Sequence, residues 1–125
     1  MTYNENLAAA KRVVGIFEAQ AMPWATERSL QDLAGDRLEA AGIEIAHEVI
    51  IPGGRIDLLA TVDAVRVGIE VKCNGTLGDL VGQLHRYAQS GRVDVIVALV
   101  GKSRLRVDAH KIGPVPLVTV VVRGF

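Results

Sequence analysis

Two apolar segments joined by a short break constrain the fold of this chain more than any other feature. Residues 55–61 and 65–73 are rich in Val, Ile and Leu, and Asp63-Ala64 lies between them. This spacing is typical of two antiparallel strands connected by a tight turn. If the loop is symmetric about residues 63 and 64, with two or four residues, then residue i faces residue 127 − i. The sequence therefore predicts a hairpin whose register is fixed by its turn.

The predicted register places two carboxylates opposite each other within these apolar strands. Asp57 faces Glu70, and facing antiparallel residues have Cβ atoms roughly 4.5–5.5 Å apart. Lys72 lies on the same face as Glu70, because side chains alternate along a strand. Two carboxylates so close repel each other, and a divalent cation between them removes that cost. Asp57, Glu70 and Lys72 are therefore candidates for a hydrolytic metal site, although an ordinary ion-pair cluster at a strand end is the alternative.

Hard oxygen ligands of this kind suit Mg²⁺, for which Mn²⁺ is a substitute. The backbone carbonyl of Val71 is a candidate for a further ligand. Zinc is disfavoured, since the chain has one Cys and three His without finger spacing. A bound Mg²⁺ would neutralise phosphate oxygens, and Lys72 would orient or activate the attacking water or stabilise negative charge. This combination indicates hydrolysis of a phosphodiester.

Helical and strand patterns alternate around the hairpin. Helices are expected at residues 6–21, 26–41 and 77–90, and further strands at 43–50, 93–100 and 117–122. The all-apolar strand 93–100 follows a helix, so a right-handed crossover would place it parallel to residues 65–73. Residues 1–125 then form one α/β domain, an α+β sandwich with a mixed sheet flanked by helices.

The composition of the chain says more about its cellular compartment than about its binding partner. The net charge is zero, but residues 1–62 carry nine acidic and five basic side chains and residues 63–125 reverse that ratio. Cys73 is the single cysteine and cannot form an internal disulfide, which fits a reducing cytoplasm. The N-terminus lacks a signal-peptide pattern, and the apolar runs are shorter than the ~20 residues needed to cross a bilayer. The expectation is a cytoplasmic protein without a membrane partner.

Three parts of the sequence resemble the PD-(D/E)xK nuclease superfamily. Gly54-Arg55-Ile56-Asp57 resembles its Gly-x-x-Asp strand start, although Ile56 stands where the superfamily often has proline. Glu70-Val71-Lys72 matches its Glu-x-Lys, and residues 83–87 match the Gln-x-x-x-Tyr element of RecB-type nucleases. The order helix, three strands, helix, strand over about residues 26–100 is similar to the superfamily's αβββαβ core.

This resemblance implies a stand-alone, Mg²⁺-dependent deoxyribonuclease with a restriction-endonuclease-like core. The implied catalytic residues are Asp57, Glu70, Lys72, Gln83 and Tyr87. Asp57 and Glu70 would bind the metal, while Gln83 and Tyr87 would lie over the site and help to hold the substrate. Their alternative role is packing at a helix edge, with the Tyr87 hydroxyl in water.

The superfamily often adds a glutamate from the helix before the first strand. Glu27 is the candidate for that metal ligand, and its alternative role is to stabilise the positive end of its helix.

The implied partner is DNA, and basic side chains near the predicted site are candidates to contact its phosphates. These residues are Arg55, Arg86, Lys102, Arg104, Arg106 and Lys111. Branched, flapped or single-stranded DNA in repair or recombination would suit so small a nuclease. The alternatives are a Holliday junction resolvase acting as a homodimer, a non-catalytic nucleic-acid-binding module that kept the fold, and a plain structural or interaction domain. A second copy of the chain, in a homodimer or a higher homo-oligomer, is the other candidate partner.

Overall fold

The computed structural model describes residues 2–124, and this part of the chain is a mixed β-sheet with helices on both faces. Its three helices are α1 (Tyr3–Glu18), α2 (Glu27–Ala40) and α3 (Leu77–Gln89). Its six strands are β1 (Glu44–Ile51), β2 (Gly54–Val62), β3 (Val65–Lys72), β4 (Val95–Val100), β5 (Lys111–Ile112) and β6 (Val115–Val121). The strand order is β1-β2-β3-β4-β6-β5. This architecture confirms the predicted α/β sandwich, including the order αβββαβ from α2 to β4.

The hairpin of β2 and β3 has the predicted register. Val62 pairs with Val65, and the ladder continues to Leu58 opposite Ile69. Asp63 and Ala64 form the two-residue turn with φ of 50° and 66°. Positive φ at both positions matches the right-handed twist of paired strands, as in a type I′ turn.

The crossover through α3 places β4 parallel to β3, as predicted, and β6 is parallel to β4. Together these connections bury β4 in the middle of the sheet, where all six of its residues are inaccessible to solvent. The short edge strand β5 was not expected, because two residues carry too little pattern to identify a strand.

Apolar side chains form a layer on each side of the sheet. Helices α1 and α2 cover one face, against Val67, Ile69 and Val71 of β3. Helix α3 covers the other face through Leu80, Leu84 and Tyr87. Glu70 and Lys72 alternate with the residues that face α1 and α2, so they lie on the α3 side.

Helix boundaries differ from the sequence expectations by a few residues. Helix α1 begins at Tyr3 rather than Asn6, because Thr2 and Glu5 form a capping box that starts it earlier. It ends at Glu18 rather than Ala21. Thr76 caps α3 by accepting the amide hydrogen of Asp79. The basic segment 102–111 contains one short helical turn, the 3₁₀ turn Ser103–Leu105.

Within residues 2–124, the helices are all too short or too polar to cross a membrane.

Candidate active site

Asp57 and Glu70 lie side by side where the β2–β3 ladder stops. The last pair of that ladder is Leu58 and Ile69, so the same register carried one step further brings Asp57 opposite Glu70. Both side chains are buried, with 8% and 5% of their surface exposed. Asp57 Oδ2 accepts the amide hydrogen of Val71 at 2.9 Å. A carboxylate therefore takes the place of a main-chain acceptor at this point of the sheet.

Tyr87 links both acids from the facing helix. Its side chain is fully buried, and its hydroxyl donates to Glu70 Oε1 at 3.0 Å. The same hydroxyl accepts the amide hydrogen of Asp57 at 2.9 Å. The alternative of edge packing with a solvated hydroxyl is therefore wrong for Tyr87. The Gln-x-x-x-Tyr element brings this ring to the acid pair.

Burial is the largest influence on the pKa of Glu70 in the acid pair. Loss of solvent raises the pKa of Glu70 far above the ordinary carboxylate range, and the neighbouring Asp57 raises it further. The hydrogen bond from Tyr87 and the positive charge of Lys72 partly offset this rise in pKa. Burial and the two acids also raise the pKa of Tyr87, so its hydroxyl stays protonated and remains a donor. The pair therefore keeps a proton at neutral pH unless a cation replaces it.

The main chain of Asp57 is held by side chains on both sides. Its amide donates to Tyr87, and its carbonyl accepts from Gln31 Nε2 at 3.4 Å. Gln31 lies in α2 with 6% of its surface exposed. Sequence reasoning missed Gln31. The available signal was a polar residue next to the apolar stripe of α2, between Leu30 and Ala34.

Lys72 and Gln83 line an open cleft whose walls include neither Asp57 nor Glu70. The cleft has a volume of about 320 Å³, and its lining residues are Lys72, Gly78, Asp79, Gly82, Gln83 and Arg86. Lys72 extends toward the loop after β3, since a Cβ placed on Gly75 would lie 3.2 Å from its Nζ. Gln83 Oε1 accepts from Arg86 Nη1 at 3.1 Å. The structure thus brings Lys72, Gln83 and Arg86 to one polar cleft.

Glu27 lies at the first position of α2 and contacts the end of β3. Its Oε1 accepts the amide hydrogen of Cys73 at 2.7 Å. Among the described residues, no three His, Cys, Asp or Glu side chains form a group that could hold a metal. The structure therefore does not bring Glu27 into one cluster with Asp57 and Glu70, and its acid fastens α2 to the strand that carries Lys72.

Val71 and Cys73 flank the strand position of Lys72. Val71, whose carbonyl is the predicted ligand, lies between Glu70 and Lys72 and donates its amide hydrogen to Asp57. Cys73 is fully buried, and burial, followed by the charge of Glu27, raises the pKa of its thiol to about 11.

The predicted basic surface is divided into two groups. Lys102 Nζ contacts Asn74 Oδ1 at 3.3 Å and Arg104 Nη1 donates to the Gly75 carbonyl at 2.7 Å, so both lie at the loop that follows Lys72. Arg55 Nη1 is 3.9 Å from Glu48 Oε1, close to Asp57 in sequence.

The other basic side chains lie against α1. Lys111 Nζ is 5.2 Å from the ring centroid of Tyr3, and Arg106 lines a groove beside the same ring. The sequence predicts that the basic residues of segment 102–111 contact phosphates together. The structure instead divides it, because the 3₁₀ turn and the following extended chain carry Arg106 and Lys111 away from the cleft.

Comparison of the chain with protein-family models, with curated proteins and with solved structures finds no match.

Proposed function

We propose that this protein is a Mg²⁺-dependent nuclease that hydrolyses phosphodiester bonds in DNA. The observation that carries the proposal is the buried pair of Asp57 and Glu70, fixed by Tyr87 and adjacent to Lys72. Within residues 2–124, neither carboxylate forms an ion pair with a basic side chain. A buried acid pair without a cation is costly for structure alone and suits a metal site.

The residues present fit a Mg²⁺ ion. Asp57 and Glu70 would hold it, because each has one oxygen engaged in a hydrogen bond and a second oxygen left for a cation. Two carboxylates are sufficient, since Mg²⁺ usually keeps several waters and completes its shell with substrate phosphates. When bound, Mg²⁺ supplies charge neutralisation for the phosphate and lowers the pKa of a coordinated water.

The protein side chains have separate roles in the proposed hydrolysis. A water oxygen adds to phosphorus and one ester P–O bond breaks, leaving a phosphomonoester and an alcohol. Lys72 orients that water or stabilises the negative charge that grows on the phosphate oxygens. Tyr87 holds Glu70 in one orientation by donating to its Oε1. Gln83 and Arg86 offer hydrogen-bond donors to the substrate from the wall of the cleft.

Glycines on the α3 wall of the cleft would let a polymer backbone approach closely. Helix α3 presents Gly78 and Gly82 to it, and a Cβ at Gly82 would meet no heavy atom within 4 Å in the described chain. A glycine inside a helix costs about 1 kcal/mol relative to alanine. Packing does not require this glycine, whereas the close approach of a phosphodiester backbone would.

Cleavage assays on defined substrates test the proposal. Linear, circular, single-stranded, flapped and four-way-junction DNA are incubated with Mg²⁺, with Mn²⁺ or with EDTA. We expect metal-dependent cleavage that is lost in Asp57→Ala, Glu70→Ala and Lys72→Ala, each of which should remain folded by circular dichroism. Glu18→Gln, an exposed acid at the end of α1, is the matched control and should cleave like the wild type.

Full activity in Asp57→Ala would refute the assignment of the site. DNA binding without metal-dependent cleavage of any substrate would contradict the enzymatic function and favour a non-catalytic DNA-binding module. Symmetric cuts at a four-way junction by a dimer would identify a resolvase within the same chemistry.

A further inference from the structure

We infer that Gln31 and Glu48 are positioning residues that hold Asp57 out of the β1–β2 ladder so that its carboxylate can reach the site. This inference rests on the proposed function of Asp57. Glu48 is the partner that the β1–β2 register assigns to Asp57, because His47 pairs with Leu58 and Val49 pairs with Ile56. No pair forms between Glu48 and Asp57 in this otherwise continuous ladder.

The cause of the gap is the backbone of Glu48. Its φ is +53°, a left-handed conformation that is uncommon for a residue with a side chain. Regular pairs on both sides show that neither strand has an extra residue, so the gap is not a β-bulge. Glu48 has turned its peptide groups away from Asp57 without a change of register.

The strands exchange faces at this position. On β1, Ile45 packs in the layer under α1 and α2, whereas Val49 packs under α3. On β2, Leu58 lies in the first layer and Ile56 in the second. Residues two or four apart on a regular strand would share one face. Both strands therefore rotate at the level of Asp57.

The rotation releases the main chain of Asp57, and two buried side chains bind it. Tyr87 accepts the amide hydrogen and Gln31 donates to the carbonyl. Gln31 is buried, with 6% of its surface exposed, and an unpaired amide would be costly there. With its main chain held from both helical layers, Asp57 directs Oδ2 to the Val71 amide beside Glu70.

The ion pairs of Glu48 do not explain its backbone. Its carboxylate accepts from Arg28 at 2.8 Å and lies 3.9 Å from Arg55, but both arginine side chains are more than half exposed and Glu48 itself is 36% exposed. Exposed ion pairs contribute little to stability, whereas unfavourable backbone conformations persist mainly where function requires them.

Three variants and one control separate the backbone of Glu48 from its carboxylate. Glycine accepts positive φ, so Glu48→Gly should keep Mn²⁺ affinity within about threefold of the wild type. Glu48→Val and Gln31→Met should each weaken Mn²⁺ binding by about tenfold or more, as loss of groups that orient metal ligands typically does. Glu44→Val, an exposed glutamate on the same strand, is the control and should bind Mn²⁺ normally. Calorimetric titration with Mn²⁺ measures each affinity.

Amide hydrogen exchange at Asp57 provides a readout that needs neither metal nor cleavage. We expect faster exchange in Glu48→Val and wild-type protection in Glu48→Gly and Glu44→Val. Unchanged exchange and Mn²⁺ affinity in Glu48→Val would overturn the inference, as would equal losses in Glu48→Gly and Glu48→Val. If the wild type neither binds Mn²⁺ nor cleaves DNA while the exchange pattern holds, the proposed function fails and the positioning of Asp57 stands.

Discussion

Replacement of Glu70 by glutamine should stabilise the metal-free protein at pH 8. The pKa of Glu70 is raised in the folded state above its ordinary value of 4.5, through burial and then through Asp57. The folded protein therefore binds a proton more tightly than the unfolded chain, so its stability is greatest below pH 4.5 and falls as pH rises above it. Glu70→Gln keeps the shape of the side chain and removes this titration.

The magnitude follows from linkage. Each pH unit in which the folded state alone keeps the proton costs at most about 1.4 kcal/mol of unfolding free energy. Between pH 5 and pH 8 the wild type should therefore lose up to about 4 kcal/mol, and we expect about 2 kcal/mol after relaxation of the site. Glu70→Gln should lose far less over the same range.

Urea denaturation in EDTA at pH 5, 6, 7 and 8 measures this difference. The wild type and the exposed-acid control Glu18→Gln should follow the same falling curve. Addition of Mg²⁺ should restore wild-type stability most strongly at pH 8, because releasing the retained proton in exchange for the cation costs least there, and should not affect Glu70→Gln. A wild-type stability that is flat with pH, or parallel curves for both proteins, would refute the account of the acid pair.

Three other perturbations have clear expected outcomes. Tyr87→Phe should lower the free energy of unfolding by about 1–3 kcal/mol, because it leaves a buried amide without an acceptor; Tyr3→Phe is the exposed control, and an equal effect of both in urea denaturation would contradict the assigned bonds. Gly82→Leu and Gly15→Leu should both raise helix stability by about 0.5–1 kcal/mol, yet only Gly82→Leu should abolish DNA cleavage. Cleavage by Gly82→Leu would show that the substrate does not bind in the cleft. Burial raises the pKa of the Cys73 thiol to about 11, so in the folded protein at pH 8 it should react slowly with iodoacetamide, and in urea it should react rapidly. Mass spectrometry measures both rates, and rapid reaction of the folded protein would contradict the burial of this thiol.

The hairpin and its register could be predicted because their determinants are local. A side-chain period of two and a turn centred on Asp63 and Ala64 are enough to bring Asp57 opposite Glu70. The parallel placement of β4 also follows from a general rule, the handedness of the crossover. Periodic patterns define the middle of an element better than its ends, so α1 differed at both boundaries.

The support around Asp57 could not be predicted, because it depends on contacts between distant segments. Gln31 and Tyr87 reach Asp57 from opposite faces of the sheet, and the sequence spacing of these residues predicts neither contact. The left-handed backbone of Glu48 could not be predicted from the local sequence, because glycine and asparagine are the residues that typically adopt this conformation. The division of the basic segment has the same origin, because the direction of an irregular chain is set by what it packs against.

The two-residue turn at Asp63 and Ala64 has a consequence for the tolerance of this protein to insertions and deletions. The turn fixes the register that places Asp57 opposite Glu70. One residue added there would shift the register by one, so that every side chain of one strand would point to the opposite face of the sheet. Length changes elsewhere, as in the loop between α3 and β4, would leave that count intact. Natural length variation in related chains should therefore spare the tip of this hairpin, although five residues of β2 lie between the turn and Asp57.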